Sequence, residues 1–211
     1  VWHTRRRTKI LNAIVKQRTQ ALQLAKDNVD RLLQMAYHDT LTQLPNRSWL
    51  INRIDEIFQT DPREPLGLLF LDGDKFKSIN DNYGHSVGDQ LLIASANRLK
   101  SLMNHDQTVI RLAGDEFVII AETNATQKTM TQLAQRIITA FGEPFDLRHG
   151  SFAFSFSIGV AICDESYTCV KDCLRDADLA MYEAKKHGKG TYQFFEPRLL
   201  ENSENQIIDT A

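Results

Sequence analysis

"RLAGDEFVII", Arg111 to Ile120, is the stretch on which the reading of this chain turns. Two apolar segments, Arg111-Leu112 and Phe117-Val118-Ile119-Ile120, flank a polar knot, Ala113-Gly114-Asp115-Glu116. The pattern predicts a β-hairpin in which Ala113-Gly114 makes the turn and displays two adjacent acids. Adjacent carboxylates repel each other, so they are either simply solvated or gathered around a cation. Alanine stands at 113, where a second glycine would ease the turn.

Working outward, "LGLLFLD" (66–72) is a short apolar run ending in an acid, the pattern of a buried central strand. If the hairpin lies beside it, Asp115 faces Asp72 across one metal ion. Amphipathic helices are expected at about Arg47–Gln59, Gly88–Met103, 127–141 and 170–187, the last ended by Gly188. Strands are expected at Phe145–Leu147 and Ser151–Cys163, flanking "RHG", and at 191–195. Phe152, Phe154 and Phe156 alternate with small residues there, as on a half-buried strand. The order is β-α-β-β-α-β with additions. It argues for an α+β sheet with helices packed on it, not a doubly wound parallel sheet.

The N-terminal part reads differently. Residues 10–37 lack proline and glycine, and apolar residues recur in heptads. Val15, Leu22, Val29 and Ala36 form one seam; Leu11, Ala25 and Leu32 form the alternate one, interrupted by Arg18. A lone helix of this kind is marginal in water, so a coiled-coil partner is expected. The chain opens "VWHTRRRTK", an aromatic residue followed by Arg5, Arg6, Arg7 and Lys9. That is either the cytoplasmic edge of a membrane-spanning helix or a solvated basic start.

Bulk properties bound the rest. The 211 residues suffice for one ordinary core plus an appendage. A hydrophobic share of 42% and a charged share of 25% fit a globular domain. A net charge of −2 makes nucleic acid an unexpected partner. Cys163, Cys169 and Cys173 match no common zinc spacing and read as reduced, cytosolic thiols.

Two further groups carry chemistry beside the hairpin. In "LDGDKFKSINDNYGHSVGDQLL", Asp72 ends the strand, Asp74 follows, and Lys75 and Lys77 open a helix. A strand-end acid beside free backbone N–H groups and lysines suits Mg²⁺ and phosphate together. A calcium loop of the EF-hand type is excluded, because Lys77 replaces the sixth-position glycine and Tyr83 the twelfth-position acid. In "ADLAMYEAKKHGKG", Lys185 and Lys189 stand four apart, read as one face of a helix end. Beside the acids they read as phosphate-binding cations; alone they would only complement the helix dipole.

Jointly, "DTLTQLPNR" (39–47), "DGDKFKSINDNYGHSVGD" (72–89), "RLAGDEF" (111–117) and "ADLAMYEAKKHGKG" (177–190) resemble the GGDEF domain of diguanylate cyclases, over about residues 36–197. The resemblance implies a palm, nucleotidyl-cyclase-like α+β fold with a central, antiparallel-containing sheet flanked by helices. It implies condensation of two GTP into cyclic di-GMP and two pyrophosphates by domains meeting face to face. The chain would then comprise a signalling coiled-coil helix (1–37), the cyclase domain (38–197) and a linker (198–211). "YQFFEPRLLENSENQ" resembles the connection leading into an EAL phosphodiesterase domain. A homodimer through residues 10–37 is expected, in a cytoplasmic part of a bacterial protein anchored in the inner membrane.

By that resemblance, Asp72 and Asp115 bind Mg²⁺ (or Mn²⁺) together with the carbonyl of Gly73. Glu116 is a second-metal ligand or a base. Asn80 and Asp89 hydrogen-bond the guanine. Phe76 (through its backbone), Lys77, Lys185 and Lys189 hold the phosphates; Gly114 lets the backbone approach the nucleotide, and Arg111 orients the acidic turn. Three departures stand out. Ala113 replaces the first signature glycine, at a cost of about 1–2 kcal/mol if that position is left-handed. Gly73 replaces a usual aliphatic residue. Asn104-His105-Asp106-Gln107 replaces the Arg-x-x-Asp motif of product inhibition. A catalytically inactive GTP-binding module regulating an adjacent EAL domain is the alternative reading, and a purely structural dimerisation unit a third.

Overall fold

The computed structural model describes residues 2–60, 64–148 and 150–200, with side chains from residue 16 onward. The chain divides into two compact units, one ending at His38 and the other beginning at Asp39. The first is a single helix, α1 (Trp2–Tyr37). Of its seam residues, Leu22 and Leu32 are 71% and 65% exposed. Leu11, Val15 and the basic cluster Arg5–Lys9 lie outside the residues with described side chains, and most of the 198–211 segment lies outside the described residues altogether. No helix among the described residues is long and apolar enough to cross a membrane.

The second unit begins with α2 (Arg47–Phe58), where the Asn46 side chain accepts a hydrogen bond from the Trp49 backbone N–H and so caps the helix. There follow β1 (Leu66–Gly73), α3 (Phe76–Tyr83), α4 (His85–Leu102), β2 (Gln107–Ala113), β3 (Glu116–Ala121) and α5 (Gln127–Phe141). A small hairpin, β4 (Phe145–Leu147) with β5 (Gly150–Phe152), precedes β6 (Phe156–Cys163), α6 (Val170–Lys186) and β7 (Tyr192–Phe194).

The main sheet has the order β2-β3-β1-β6-β7, with β1 antiparallel to both neighbours and β7 parallel to β6. Residues 66–71 of β1 are apolar or glycine and all buried, because both sheet faces are covered. Period-2 alternation then sorts its side chains between two cores. Leu69, Leu71, Phe117 and Ile119 pack toward α4 and α5. Leu68, Phe70, Val118 and Ile120 pack toward α2 and α6. Gly159 sets the height of α6: a Cβ there would lie 1.9 Å from the Ala177 carbonyl oxygen. Any larger residue would push away the helix that carries Lys185.

Several boundaries differ from the sequence reading. The helix expected from Gly88 starts at His85, and residues 76–83 form a helix of their own, the two meeting at Gly84 with φ +84°. The strand expected over 151–163 is two strands, because residues 153–155 leave the ladder. That departure brings Ser155 to Asp74 while keeping Phe154 buried. The hairpin is longer than its signature, since β2 begins at Gln107. Lys189 lies beyond the end of α6 with φ +63°, so it does not share a helix face with Lys185.

Candidate active site

The signature turn lies one residue further along than Ala113-Gly114. Ala113 pairs with Glu116 as the last rung of the β2–β3 ladder, leaving Gly114 and Asp115 as the two-residue turn. Gly114 has φ +48°, and a Cβ there would meet nothing within 4 Å. Glycine is therefore required at 114 by backbone angle, not by space. Ala113 is not left-handed, so the penalty expected for a non-glycine residue does not arise.

Arg111 holds the turn closed. Its Nε and Nη2 donate to the Gly114 carbonyl at 3.0 and 2.8 Å, and its Nη1 donates to Asp39 Oδ1 at 2.8 Å. The same Asp39 oxygen accepts from the Thr42 N–H and hydroxyl. Burial works to raise the Asp39 carboxyl, but Thr42 and Arg111 outweigh it and leave it below the ordinary value. The "DTLTQLPNR" segment is thus a brace for the acidic turn, and the Arg111 N–H donates to Pro45 O to complete it.

The two acids go to different sides of the sheet. Glu116 stands directly across from Asp72 in the β1–β3 register, on the face covered by α2 and α6. Asp115, at the tip, sets its carboxylate beside Gly73, whose hypothetical Cβ would lie 2.8 Å from Oδ2. Burial, and then the charge of Asp72, raise the Asp115 carboxyl. Burial, followed by Asp72, Asp178 and Asp115, raises Glu116. Burial and Asp72 raise Asp178 as well. Against these acids stands Lys185, whose Nζ is 2.6 Å from Asp72 Oδ1. Sequence reading missed Asp178. Its signal was the seven-residue spacing to Lys185, two turns along one face of α6.

Asp74 is not available for a cation. It is buried, accepts from Ser155 Oγ, Ser157 Oγ and the Gly190 N–H, and so ties β1 to the loop that carries Lys189. Of the D-x-D pair only Asp72 is placed to serve the site.

A cleft of about 390 Å³ opens beside these groups, with Asp72, Asp115, Lys77, Lys185, Lys189 and Asn80 in its wall. Gly73 and Phe76 also line it. Lys77 and Lys189 form no ion pair among the described residues. Asn80 Oδ1 is buried and accepts no hydrogen bond, an unsatisfied acceptor lodged in the space left by Gly88. Asp89 is exposed one helical turn beyond His85 and outside the cleft wall; Asp81 and His85 line it instead. Glu116, across from Asp72 in the register, is not among the residues that line the cleft.

The donor set fits a hard divalent cation. Among the described residues no three acidic, histidine or cysteine side chains are arranged to chelate a metal by themselves. Mg²⁺ commonly binds through one or two carboxylates, with the remaining ligands drawn from water and substrate phosphates. Mutually repelling carboxylates beside unpaired lysines offer that combination.

Residues 36–191 match the family profile described as diguanylate cyclase, GGDEF domain. The chain is 35% identical over 201 residues to the bifunctional diguanylate cyclase/cyclic di-GMP phosphodiesterase MucR of Pseudomonas aeruginosa, covering 94% of this chain and 29% of that protein. It is 36% identical over 192 residues to the diguanylate cyclase TpbB of the same species, covering 88% of this chain and 44% of TpbB. A third relative, the cyclic di-GMP phosphodiesterase PdeR of Escherichia coli, is 36% identical over 81% of this chain and 26% of its own length. The chain thus spans less than half the length of these curated relatives. The solved GGDEF domain of TpbB superposes with a TM-score of 0.73 at 36% identity, covering 78% of this chain and 99% of that one. The coiled coil and GGDEF domain of DgcB from Caulobacter crescentus, at 23% identity, shares the fold with a TM-score of 0.78 over 87% of this chain and 98% of its own.

Proposed function

Because the chain belongs to the GGDEF diguanylate cyclase family, we propose that it condenses two GTP into cyclic di-GMP and two pyrophosphates. The observation that carries this reading is the convergence of acids and unpaired lysines on one cleft whose wall also includes Asn80. In this reading Asn80 Oδ1 accepts from the donor edge of guanine, and Asp89, a turn beyond His85, adds a second acceptor. Lys77 and Lys189 hold phosphate oxygens, joined by the Phe76 backbone. Lys185 moves from Asp72 to the phosphates as the nucleotide enters. Asp72, Asp115 and the Gly73 carbonyl would hold Mg²⁺ (or Mn²⁺), with Glu116 either a second-metal ligand or the base. The cation, when bound, neutralises charge on the α-phosphate and on the departing pyrophosphate. Each nucleotide's 3′-hydroxyl attacks the other's α-phosphate, so two phosphodiester bonds form, two pyrophosphates leave, and the hydroxyl protons pass to a base, for which Glu116 is the candidate. No single domain holds both nucleotides, so two domains must meet face to face, with residues 1–37 as the dimerising helix and 38–197 as the catalytic domain. Residues 198–211 then serve as a linker toward an EAL domain in a bacterial protein held at the inner membrane.

A second reading, a GTP-binding module that regulates a neighbouring phosphodiesterase, is favoured by the relative named as a phosphodiesterase. Incubating the purified protein with GTP and Mg²⁺ and identifying the nucleotide products separates the two. Cyclic di-GMP supports the first; bound but unconverted GTP supports the second.

A further inference from the structure

The bare Cα of Gly73 is occupied space. A Cβ built there would lie 2.6 Å from Phe154 Cζ, 2.8 Å from Asp115 Oδ2 and 2.9 Å from Asp115 Cβ. All three distances are shorter than side chains tolerate. Gly73 itself is buried at the end of β1, its N–H donating to the Asp115 carbonyl at 3.2 Å. Its register partner on β6 is Phe156.

Phe154 cannot easily step aside. It is 3% exposed and packs edge-on against Phe76, Phe145 and Phe156, with ring centroids 6.2, 6.5 and 5.2 Å away. Its backbone belongs to the three residues that leave the ladder, where Asp74 N–H donates to Ser155 O and Ser155 Oγ donates to Asp74. The ring is therefore anchored from both sides, with its tip pointing at the end of β1. That tip fills the volume that an aliphatic residue at 73 would take.

We propose that Gly73 and Phe154 form a complementary pair of positioning residues that seats the Asp115 carboxylate over the end of β1. The ring supplies the bulk that 73 lacks, and the missing side chain leaves room for Asp115 to lie against the strand and face the cleft. The pair rests on the cyclase reading only in what Asp115 is positioned for. Neither residue touches substrate through its side chain. The Gly73 carbonyl is retained in any substitution at 73, so a loss on substitution traces to the added side chain.

The test is a cycle of four proteins: wild type, Gly73→Val, Phe154→Ala and Gly73→Val/Phe154→Ala. The readouts are the rate of cyclic di-GMP formation, GTP-binding stoichiometry, the thermal midpoint and Mn²⁺ affinity followed by electron paramagnetic resonance. Gly73→Val lowers the rate about tenfold or more with wild-type GTP stoichiometry, because a displaced carboxylate costs chemistry rather than base binding. Phe154→Ala lowers the thermal midpoint by leaving a cavity. The double variant recovers to within about threefold of Phe154→Ala alone, in rate and in Mn²⁺ affinity, because the strand end at 73 can then settle into the space the ring leaves and draw its side chain back from Asp115. Additive losses in the double variant, or a Gly73→Val protein with wild-type rate and Mn²⁺ affinity, would overturn the pairing. If wild type itself makes no product, the cyclase reading fails, and the Mn²⁺ cycle alone decides whether the pair positions Asp115.

Discussion

Two regions of this molecule break the ordinary rules of burial, in opposite senses. At the end of β1, Asp72, Asp115, Glu116 and Asp178 gather around one lysine, and burial together with mutual repulsion raises the carboxyls of the last three. Along α1, Leu22, Leu24, Val29, Leu32 and Met35 face solvent. One region holds more charge of one sign than it can satisfy, and the other shows more apolar surface than water favours. On the proposed reading, a cation with its phosphates would complete the first and a second apolar helix the second.

The comparison breaks most sharply at the acids. Asp115→Ala or Asp72→Asn should lower the rate of product formation by about a hundredfold to a thousandfold, the scale of lost charge stabilisation in a site of this type. The thermal midpoint should hold or rise. Unimpaired cyclic di-GMP synthesis by either variant would remove that acid from the chemistry. Asn80, the unsatisfied acceptor, comes next. Asn80→Ala should erode the preference for GTP over ATP by about one to two orders of magnitude, read by calorimetry with each nucleotide. Equal selectivity before and after would take Asn80 out of base recognition.

Removing residues 1–35 should lower activity about tenfold at low protein concentration, with recovery as concentration rises, because a helix of this kind is marginal without a partner. Sedimentation and rate that are unchanged by the truncation would show that the exposed leucines serve something else. A smaller effect follows from linkage. Asp115, Glu116 and Asp178 take up protons more readily in the folded protein than in the unfolded chain. Their contribution to stability is therefore greatest below the ordinary carboxylate range and falls as pH rises through the raised values. Asp39 runs the other way: its lowered carboxyl adds stability that is present above the ordinary value and lost as pH falls through the lowered one. Without divalent cations, wild type should lose a few degrees in thermal midpoint relative to Asp115→Asn as pH rises through the raised carboxyl values, and Mg²⁺ should reduce the gap. A gap that widens with Mg²⁺ would count against a cation at these acids. The smallest effect is at Ala113. Its backbone is extended and strand-paired, so Ala113→Gly should change the rate by less than about twofold. A large gain in rate would mean that the methyl, not the backbone, restrains the turn.

The "RLAGDEF" and "LGLLFLD" segments were legible because each carries its own local rule. A short apolar run marks a buried strand, and a glycine beside acids marks a turn that needs a left-handed residue. The helices expected at 47–59 and 127–141 were legible from amphipathic spacing, and the structure adds Asn46 and Thr126 as their caps. The family resemblance likewise lay in contiguous motifs. Contiguity failed where partners are far apart in sequence. Nothing local says that Asp74 is consumed by Ser155, Ser157 and Gly190 while its neighbour Asp72 is left for Lys185.

By itself, then, the sequence determined the α+β class, the acidic hairpin and the lysines that accompany it, since these follow from residue type and spacing along a few turns of chain. Only the tertiary structure decided which acid faces which. Strand register puts Glu116 opposite Asp72, the absence of a Cβ at Gly73 turns Asp115 toward the cleft, and Gly159 brings α6 close enough for Lys185 to reach β1. Those outcomes depend on excluded volume and on pairing across the sheet. Both are properties of segments brought together by the fold, and neither is written in any one of them.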